Sequence, residues 1–409
     1  MSQSLRPAQP FTAYQRRLFA FLSVATFFEG FDYIALTQLL PSIRGEFGLD
    51  YAAGQGIVSL INGGAILAYG LIRYADVAGR RRTLSITIAG YTLFSLLSAA
   101  AQSAWQFAAV QFLARMFLLA EYAVSMVYVI EEFPAPRRAF AVGVIQGVNS
   151  LGSIVCAGVV PLLLKTPLGF RSVYLVGGLP LLFVMVLRRN IRETERFLAQ
   201  KQPPTRGLMR IFRTPHGRKV PLLSAIWALT YVCTYVVVNN FKDYAIQERG
   251  LDDADVGLAV MIAALGAMPL VFLSGKLLDV IGRRRGAAVI FSLTSLSTFW
   301  LFTTKGFWPM TLGLMGCIFA ASAVLPVLNA ITLERFPTEM RAEGLGWSNN
   351  LLGRIGYVAG PALSGLMAPA FGIGHATALL GVFPLLALAL IWARIPETAG
   401  KELEETAAS

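Results

Sequence analysis

From Leu18 onward the chain is a succession of apolar runs, each long enough to cross a bilayer as a helix and each followed by a polar or charged connection. The runs fall at residues 18–42, 53–74, 83–101, 105–130, 139–163, 171–188, 219–241, 256–275, 287–303, 307–333, 343–368 and 374–393. A spanning helix needs about 20 predominantly apolar residues, so these runs predict an all-α membrane protein with twelve transmembrane helices. An even number of crossings leaves both termini on one side. Composition agrees: 56% of the residues are hydrophobic, 14% are charged and the mean hydropathy is +0.61, which excludes a water-soluble globular enzyme.

Little else competes with that reading. Cys156, Cys233 and Cys317 lie inside apolar runs without a CxxC or Cys/His pair, so they are expected to be small buried residues rather than disulfide or metal ligands. Arg16 and Arg17 precede the first run as they would in a signal peptide. That run, however, is too long, contains Glu29 and Asp32 and lacks a small-residue cleavage site, so it is expected to stay as the first span.

The one long polar connection, residues 189–218, is rich in arginine and lysine and divides the chain six plus six. The expected organisation is a six-helix bundle at 1–188, a cytoplasmic linker at 189–218, a second six-helix bundle at 219–393 and a cytoplasmic tail at 394–409. Basic residues fix the orientation. With a cytoplasmic N-terminus, the outer connections carry Arg44, Lys165, Arg171, Lys242, Arg249 and Lys305, the spans hold Arg115 and Arg354, and the rest of the 35 lysines and arginines lie on the cytoplasmic side. The net charge of +12 is therefore a topology signal scattered over short loops, and nucleic acid is not expected as a partner.

The two halves repeat one another. Asp76-Val77-Ala78-Gly79-Arg80-Arg81-Arg82 recurs as Asp279-Val280-Ile281-Gly282-Arg283-Arg284-Arg285. At the same separation Glu131, Pro134 and Arg138 recur as Glu334, Pro337 and Arg341, and one residue further on Glu193-Thr194 recurs as Glu397-Thr398. Duplicated bundles of this kind suit a transporter whose halves rock about a binding site near the bilayer midplane.

At these residues the chain resembles the major facilitator superfamily, whose loop Gly-x-x-x-Asp-x-x-Gly-Arg-[Lys/Arg] is met from Gly275 through Asp279, Gly282 and Arg283; the first half has Ile72 in place of the leading glycine. The resemblance covers nearly the whole chain and implies two pseudo-symmetric six-helix bundles. It also implies a cytoplasmic latch made by Asp76, Gly79, Arg80, Glu131 and Arg138 in one half and by Asp279, Gly282, Arg283, Glu334 and Arg341 in the other. Physically, the glycines permit tight turns, the arginines anchor in headgroups and the acids accept from helix N-termini or arginine. Charge that only sets topology is the alternative, but topology requires the bases and not the acids.

Ionisable groups at mid-membrane cost about 2.5–3.5 kcal/mol each on insertion scales, so each calls for a reason. Glu29 and Asp32 share one face of the first span at i, i+3. Two carboxyl groups so close in a poorly hydrated place cannot both stay ionised cheaply, which suits reversible protonation; the alternative is a structural ion pair with an arginine across the bundle. Arg115 in the fourth span and Arg354 in the eleventh lie near the midplane, one in each half. A guanidinium cannot relay protons but can hold a carboxylate through two parallel hydrogen bonds, which points to an anionic substrate. Alternatively, Arg115 neutralises Glu29, Asp32 or Glu121. Glu121 is either a second proton site or the partner of Arg115. Tyr33, Asn62, Tyr122, Asn149, Tyr231, Asn349 and Asn350 lie at matching depth and complete the candidate pocket, against the alternative that they pack or glue helices.

Phe28-Glu29-Gly30-Phe31-Asp32 is similar to the Asp-Gly-x-Asp signature of the aromatic acid:proton symporters, with Glu in place of the first Asp, and Arg354-Ile355-Gly356 with Gly360-Pro361 resembles the eleventh span of that group and of organic anion transporters. The resemblance implies that Glu29, Asp32, Arg115 and Arg354 are needed for transport. The function expected is proton-coupled symport of a small, carboxylate-bearing, possibly aromatic organic anion in a bacterial cytoplasmic (inner) membrane. A sugar or polyol:proton symporter is the runner-up: Arg192-Glu193-Thr194 and Pro396-Glu397-Thr398 look like sugar-porter endings, and Gln146, Asn149, Asn239, Asn240 and Asn329 offer polar groups. A drug:proton antiporter shares the loop motif, yet two arginines would hamper a cationic cargo. No P-loop is present, His216 and His375 have no evident catalytic partners, and neither enzyme activity, cofactor nor metal is expected. The expected partners are the anion, protons and the lipid bilayer, with the chain acting as a monomer.

Overall fold

Helix α1 (Ala13–Phe47) begins where the Thr12 hydroxyl accepts from the Gln15 amide and the Gln15 side chain accepts from the Thr12 amide, and it ends at Gly48, whose φ is 64°. Asp50 caps α2 (Tyr51–Ala78) through the Ala53 amide. Gly79, at φ 98°, turns the chain into α3 (Arg80–Ala99); Ser103 caps α4 (Ala104–Glu132), and α5 (Ala135–Leu163) and α6 (Phe170–Leu187) complete the first half. A short helix, α7 (Glu195–Leu198), lies between the halves. The second half runs α8 (Val220–Gln247), α9 (Asp253–Ile281), α10 (Arg283–Thr303), α11 (Phe307–Glu334), α12 (Arg341–Leu345), α13 (Ile355–Leu380) and α14 (Val382–Arg394), with π-helical turns over Gly346–Gly353 between α12 and α13. This computed structural model describes residues 11–187, 191–199, 209–337 and 339–397, the side chains of 135–139, 183–187, 195–196 and 271–280 excepted.

Among the described residues, nine helical stretches are long and apolar enough to cross a membrane. The last of them, Arg341–Arg394, is two passes joined at Gly372, where φ is 79° and the Glu248 carboxylate accepts from the Ile373 and Gly374 amides to cap the returning helix. With α3 and α6 packed among the others, the helices make up the twelve passes of an all-α membrane protein in two related bundles. Large apolar side chains such as Leu67, Leu93, Trp105, Leu296 and Trp308 stand exposed on the outside, as a lipid-facing surface requires.

Each half holds two apolar layers. In the first, Leu22, Ile88, Tyr91, Tyr128 and Phe133 pack at the end nearest the linker, and Leu36, Leu39, Phe107, Phe170 and Tyr174 pack at the far end. In the second, Trp227, Phe291, Val327 and Phe336 mirror the linker-end layer, and Phe241, Tyr244, Phe302 and Leu314 mirror the far-end one. Between the two layers of the first half lie the buried Glu29, Asp32, Arg115 and Glu121. Helices α1 and α5 cross there almost backbone to backbone: a Cβ on Gly30 would stand 1.9 Å from the Asn149 carbonyl oxygen, and one on Gly152 would stand 1.9 Å from that of Phe27. The equivalent crossing of α8 and α13 uses Gly356 against the Ala228 carbonyl.

The helices overrun the apolar runs that announce them, and this relocates two basic residues. Arg44 and Lys242, read above as residues of outer connections, lie inside α1 and α8 and are buried. The start of the linker also differs from a free connection. Ile191 is buried in the first half's linker-end layer, Tyr128 Oη donates to the Arg192 carbonyl at 2.7 Å, and the Arg192 amide donates to Tyr14 Oη at 3.1 Å.

The bare-backbone crossing makes a direct prediction. Gly152→Leu should destabilise the bundle by on the order of 1–3 kcal/mol through overpacking, read as a lower unfolding temperature in detergent, whereas Gly143→Leu, where the neighbourhood is open, should not.

Candidate functional site

Helix α4 places two charged residues about two turns apart on different faces, and the two meet different partners. Arg115 lies under the Tyr33 ring, its guanidinium carbon 5.0 Å from the ring centroid, and shares its surroundings with Asp32, which accepts from Ser95 Oγ at 3.2 Å. Glu121 instead faces Glu29, carboxyl to carboxyl at hydrogen-bonding range. The two glutamates are 0% and 1% exposed, and none of their four oxygens meets a donor. Glu29 and Asp32, neighbours on one helix face, thus have different surroundings: Glu29 faces a second acid, and Asp32 is bonded to Ser95 within the field of Arg115.

The second half brings Arg354 to the same depth. It follows directly on the π-helical turns, whose wider winding presents Asn349 and Asn350 ahead of it; Arg354 Nη2 reaches Asn350 Oδ1 at 3.5 Å. Its guanidinium carbon is 5.8 Å from the centroid of Tyr357. Tyr357 stacks on Tyr231 with centroids 4.3 Å apart and meets Tyr235 edge-on at 5.1 Å, while Tyr231 Oη donates to Asn349 Oδ1 at 2.8 Å. Asn62 Nδ2 donates to the Tyr357 carbonyl at 2.9 Å, which ties α2 of the first half to α13 of the second. Tyr33, Tyr235 and Tyr357 lie in one cluster with Leu40 and Val58, and both arginines lie close enough to Tyr33 for their fields to reach its hydroxyl. Arg115 Nη1 and Arg354 Nε are buried with no partner.

Four tyrosines between two guanidinium groups with unmatched N–H donors can take a flat anion. The arginines offer charge-assisted hydrogen bonds to a carboxylate, and the rings offer faces for stacking. Of the remaining residues singled out by sequence, Tyr122 stands beside Glu29 and Gln146. Asn149 donates to the Thr26 carbonyl at 3.2 Å and so joins α5 to α1. Tyr235 and Tyr357 were missed, although a signal existed: Tyr235 follows Tyr231 by four residues and Tyr357 follows Arg354 by three, the spacings that share a helix face.

At the linker end the repeated motifs build two matching clusters. Arg80 lies 3.2 Å from Glu131 and 3.4 Å from Asp76, and also donates to the Ala75 carbonyl; in the other half Arg283 lies 3.1 Å from Glu334. Arg341 donates to the Leu333 and Phe336 carbonyls at the end of α11. The side chains of Arg138 and Asp279 lie outside the described ones, as does Thr398. The repeated glutamates take a role not read from sequence. Glu193 accepts from the Arg80 and Arg81 amides and caps α3, and Glu397 accepts from the Arg283 and Arg284 amides and caps α10. Gly79 is needed twice over, for its φ of 98° and because a Cβ there would stand 2.4 Å from Glu193 Oε2.

The acid pair makes a stability prediction. Glu29→Gln or Glu121→Gln supplies the missing donor and should raise the unfolding temperature in detergent, by about 1 kcal/mol equivalent, while Glu121→Ala should lower it by opening a cavity.

The family model of the Major Facilitator Superfamily matches residues 22–252 and 223–408. The sialic acid transporter NanX of Escherichia coli is 25% identical over 380 residues, covering 90% of this chain and 91% of the relative. The gallate transporter of Pseudomonas putida is 26% identical over 424 residues, covering 93% and 92%. Among solved structures, the inward-open xylose transporter XylE from E. coli superposes with a TM-score of 0.77 at 18% identity, covering 95% of this chain and 98% of that one.

Proposed function

The chain belongs to the major facilitator superfamily and is an integral membrane transporter of that fold, and on that premise we propose that it carries a small, flat, carboxylate-bearing organic anion together with protons by alternating access. The observation that carries this reading is the pair of guanidinium groups, Arg115 from one half and Arg354 from the other, with unmatched donors around a tyrosine cluster at mid-depth. A carboxylate bridging the two arginines would tie its occupancy to the relative position of the halves. Tyr33, Tyr231, Tyr235 and Tyr357 would hold the ring or planar body, with Asn62, Asn349 and Asn350 setting the rim. Two relatives are named for acids, sialic acid and gallate, which accords with an anionic cargo.

Glu29 and Glu121 serve as the proton carriers, since two facing carboxyl groups without another donor are held together by a proton passing between them. Asp32, held between Ser95 and Arg115, is the link to the cargo: it competes with the substrate carboxylate for Arg115. Tyr122 lines the path beside Glu29. All these groups come from one chain, so a monomer suffices. The distribution of basic residues puts both termini and the linker-end clusters of Asp76, Arg80, Glu131, Arg283 and Glu334 on the cytoplasmic face of a bacterial inner membrane. Sugar is less well served: Asn239 and Asn240 are committed to hydrogen bonds at the far end and Asn149 to the Thr26 carbonyl.

Liposomes containing the purified protein should accumulate an aromatic or comparably flat carboxylate only under an inward proton gradient. Glu29→Gln should abolish that accumulation while leaving substrate exchange intact. Arg354→Ala should weaken carboxylate binding by about ten- to a hundredfold in a thermal-shift titration, the worth of a charge-assisted hydrogen bond. A screen in which neutral sugars shift the melting point and carboxylates do not would refute the two-arginine reading.

A further inference from the structure

Asp32 has two kinds of neighbour: Arg115 and, from α3 and α6 of its own half, a set of hydroxyl groups. Four other buried hydroxyls of α3, on Thr83, Thr87, Thr92 and Ser98, each donate to a carbonyl three or four residues back, the usual partner of a helix hydroxyl out of water. Ser95 lies among them, fully buried, and donates instead across to Asp32 Oδ1 at 3.2 Å. Its counterpart in the second half is Thr298, at the separation of 203 residues that relates α3 to α10. Thr298 donates to the Thr294 carbonyl at 2.8 Å and stands beside the thiols of Cys233 and Cys317. Where the neighbours are thiols the hydroxyl stays on its own helix; where the neighbour is Asp32 it leaves.

Tyr174 of α6 brings a second hydroxyl to the same place. Its ring is buried edge-on to Phe107, with centroids 5.8 Å apart, and to Phe170 at 6.4 Å. Two glycines one turn further along α6 let the helix come this close. A Cβ on Gly177 would stand 3.2 Å from Phe31 Cδ1, and one on Gly178 would stand 2.6 Å from Leu96 Cδ2. Phe31 and Leu96 are the chain neighbours of Asp32 and Ser95, so α6 is set against the turns that carry their bond. The Tyr174 hydroxyl lies within the fields of Asp32 and Arg115 and has no hydrogen-bond partner. A buried phenol normally finds one. Tyr91, also within the field of Asp32, is committed to the Phe28 carbonyl at 3.2 Å, which leaves Tyr174 as the tyrosine with a donor to offer.

We propose that Ser95 and Tyr174 are positioning residues: together they form a seat that holds the Asp32 carboxylate off Arg115 while the cargo carboxylate occupies that arginine. This deepens the anion reading above and rests on it. Half of the seat is already made, since Asp32 is bonded to Ser95 while Arg115 Nη1 has no partner. Two hydroxyl donors offset part of the cost of keeping a carboxylate apart from a cation inside an apolar bundle. Without them Asp32 would turn to Arg115, and the cargo would have to displace it.

Two measurements on the full chain in detergent test the seat, one with a ligand and one without. In a thermal-shift titration with benzoate, Tyr174→Phe should weaken binding by about tenfold, the worth of a hydrogen bond to a charged group. Ser95→Ala should weaken it in the same direction, and Ser95→Thr, which keeps the hydroxyl, should restore it. Combined with Asp32→Asn, which removes the competing charge, Tyr174→Phe should leave benzoate affinity unchanged; an equal loss in both backgrounds would mean that Tyr174 only packs, and would overturn the seat. Without ligand, Tyr174→Phe in the otherwise wild-type chain removes an unpartnered hydroxyl and should not lower the unfolding temperature. Combined with Arg115→Gln, which leaves Asp32 to the two hydroxyls, it should lower it. The same response in both backgrounds also overturns the seat, and the benzoate measurement decides alone if Arg115→Gln does not fold. If the ligand-free coupling appears and benzoate shifts no variant, the seat stands and the anion reading fails instead.

Discussion

A charge in the apolar middle of a helical bundle is held only by what neighbouring helices bring to it, and in this chain the placement of a few such charges organises everything else. Helix α4 carries Arg115 and Glu121 on different faces, and the bundle answers each separately: Tyr33 and Asp32, itself held by Ser95, lie by the arginine, and Glu29 faces the glutamate. The contact is steep in its demands. The crossing of α1 with α5 has to be tight enough, through Gly30 and Gly152, to keep α1 at the depth and rotation that bring Glu29 to α4. Two glycines without chemistry of their own thus set the geometry of the acids. In the second half the mid-depth cation, Arg354, comes from a different place in the bundle, directly after the π-helical turns.

The spans and the duplication were legible in the sequence because each is written locally, in hydropathy and in motif spacing. The ends of the helices were not, because Arg44 and Lys242 look like loop residues until their partners are known, Asp243 across the interface for the one and Asp253 on the next helix for the other. The identity of the mid-depth charges was equally visible, since any charge in an apolar run stands out. Their pairing was not: whether Glu29 meets Arg115 or Glu121 depends on how α1 is rotated against α4, and no residue spacing within one helix carries that information. Tyr235 and Tyr357 sit between these cases. Their spacing from Tyr231 and Arg354 placed them on the right faces, but aromatic residues are too common in membrane helices for spacing alone to single them out.

The two ends of the molecule are held by different kinds of contact. The linker-end clusters of Arg80 with Glu131 and Arg283 with Glu334 bind helices within a half and brace each bundle as a body. The far-end contacts of Arg44 with Asp243 and of Gln55 with Asn239 and Asn240 run between bodies. A bundle braced in this way can move as a unit, so that displacement at one end is carried to the other instead of being absorbed by bending. The tyrosine cluster lies between them, where the first half contributes Tyr33 and Asn62 and the second Tyr231, Tyr235 and Tyr357.

Glu193 and Glu397 do the same work at the same place in each half, although each lies beyond the last helix of its half and reaches back to cap the third. A cap of this kind has value only to a bundle already folded beneath it. Each half therefore carries its own closure, a trailing segment that returns to the bundle it leaves and ties the beginning of the third helix to the end of the last.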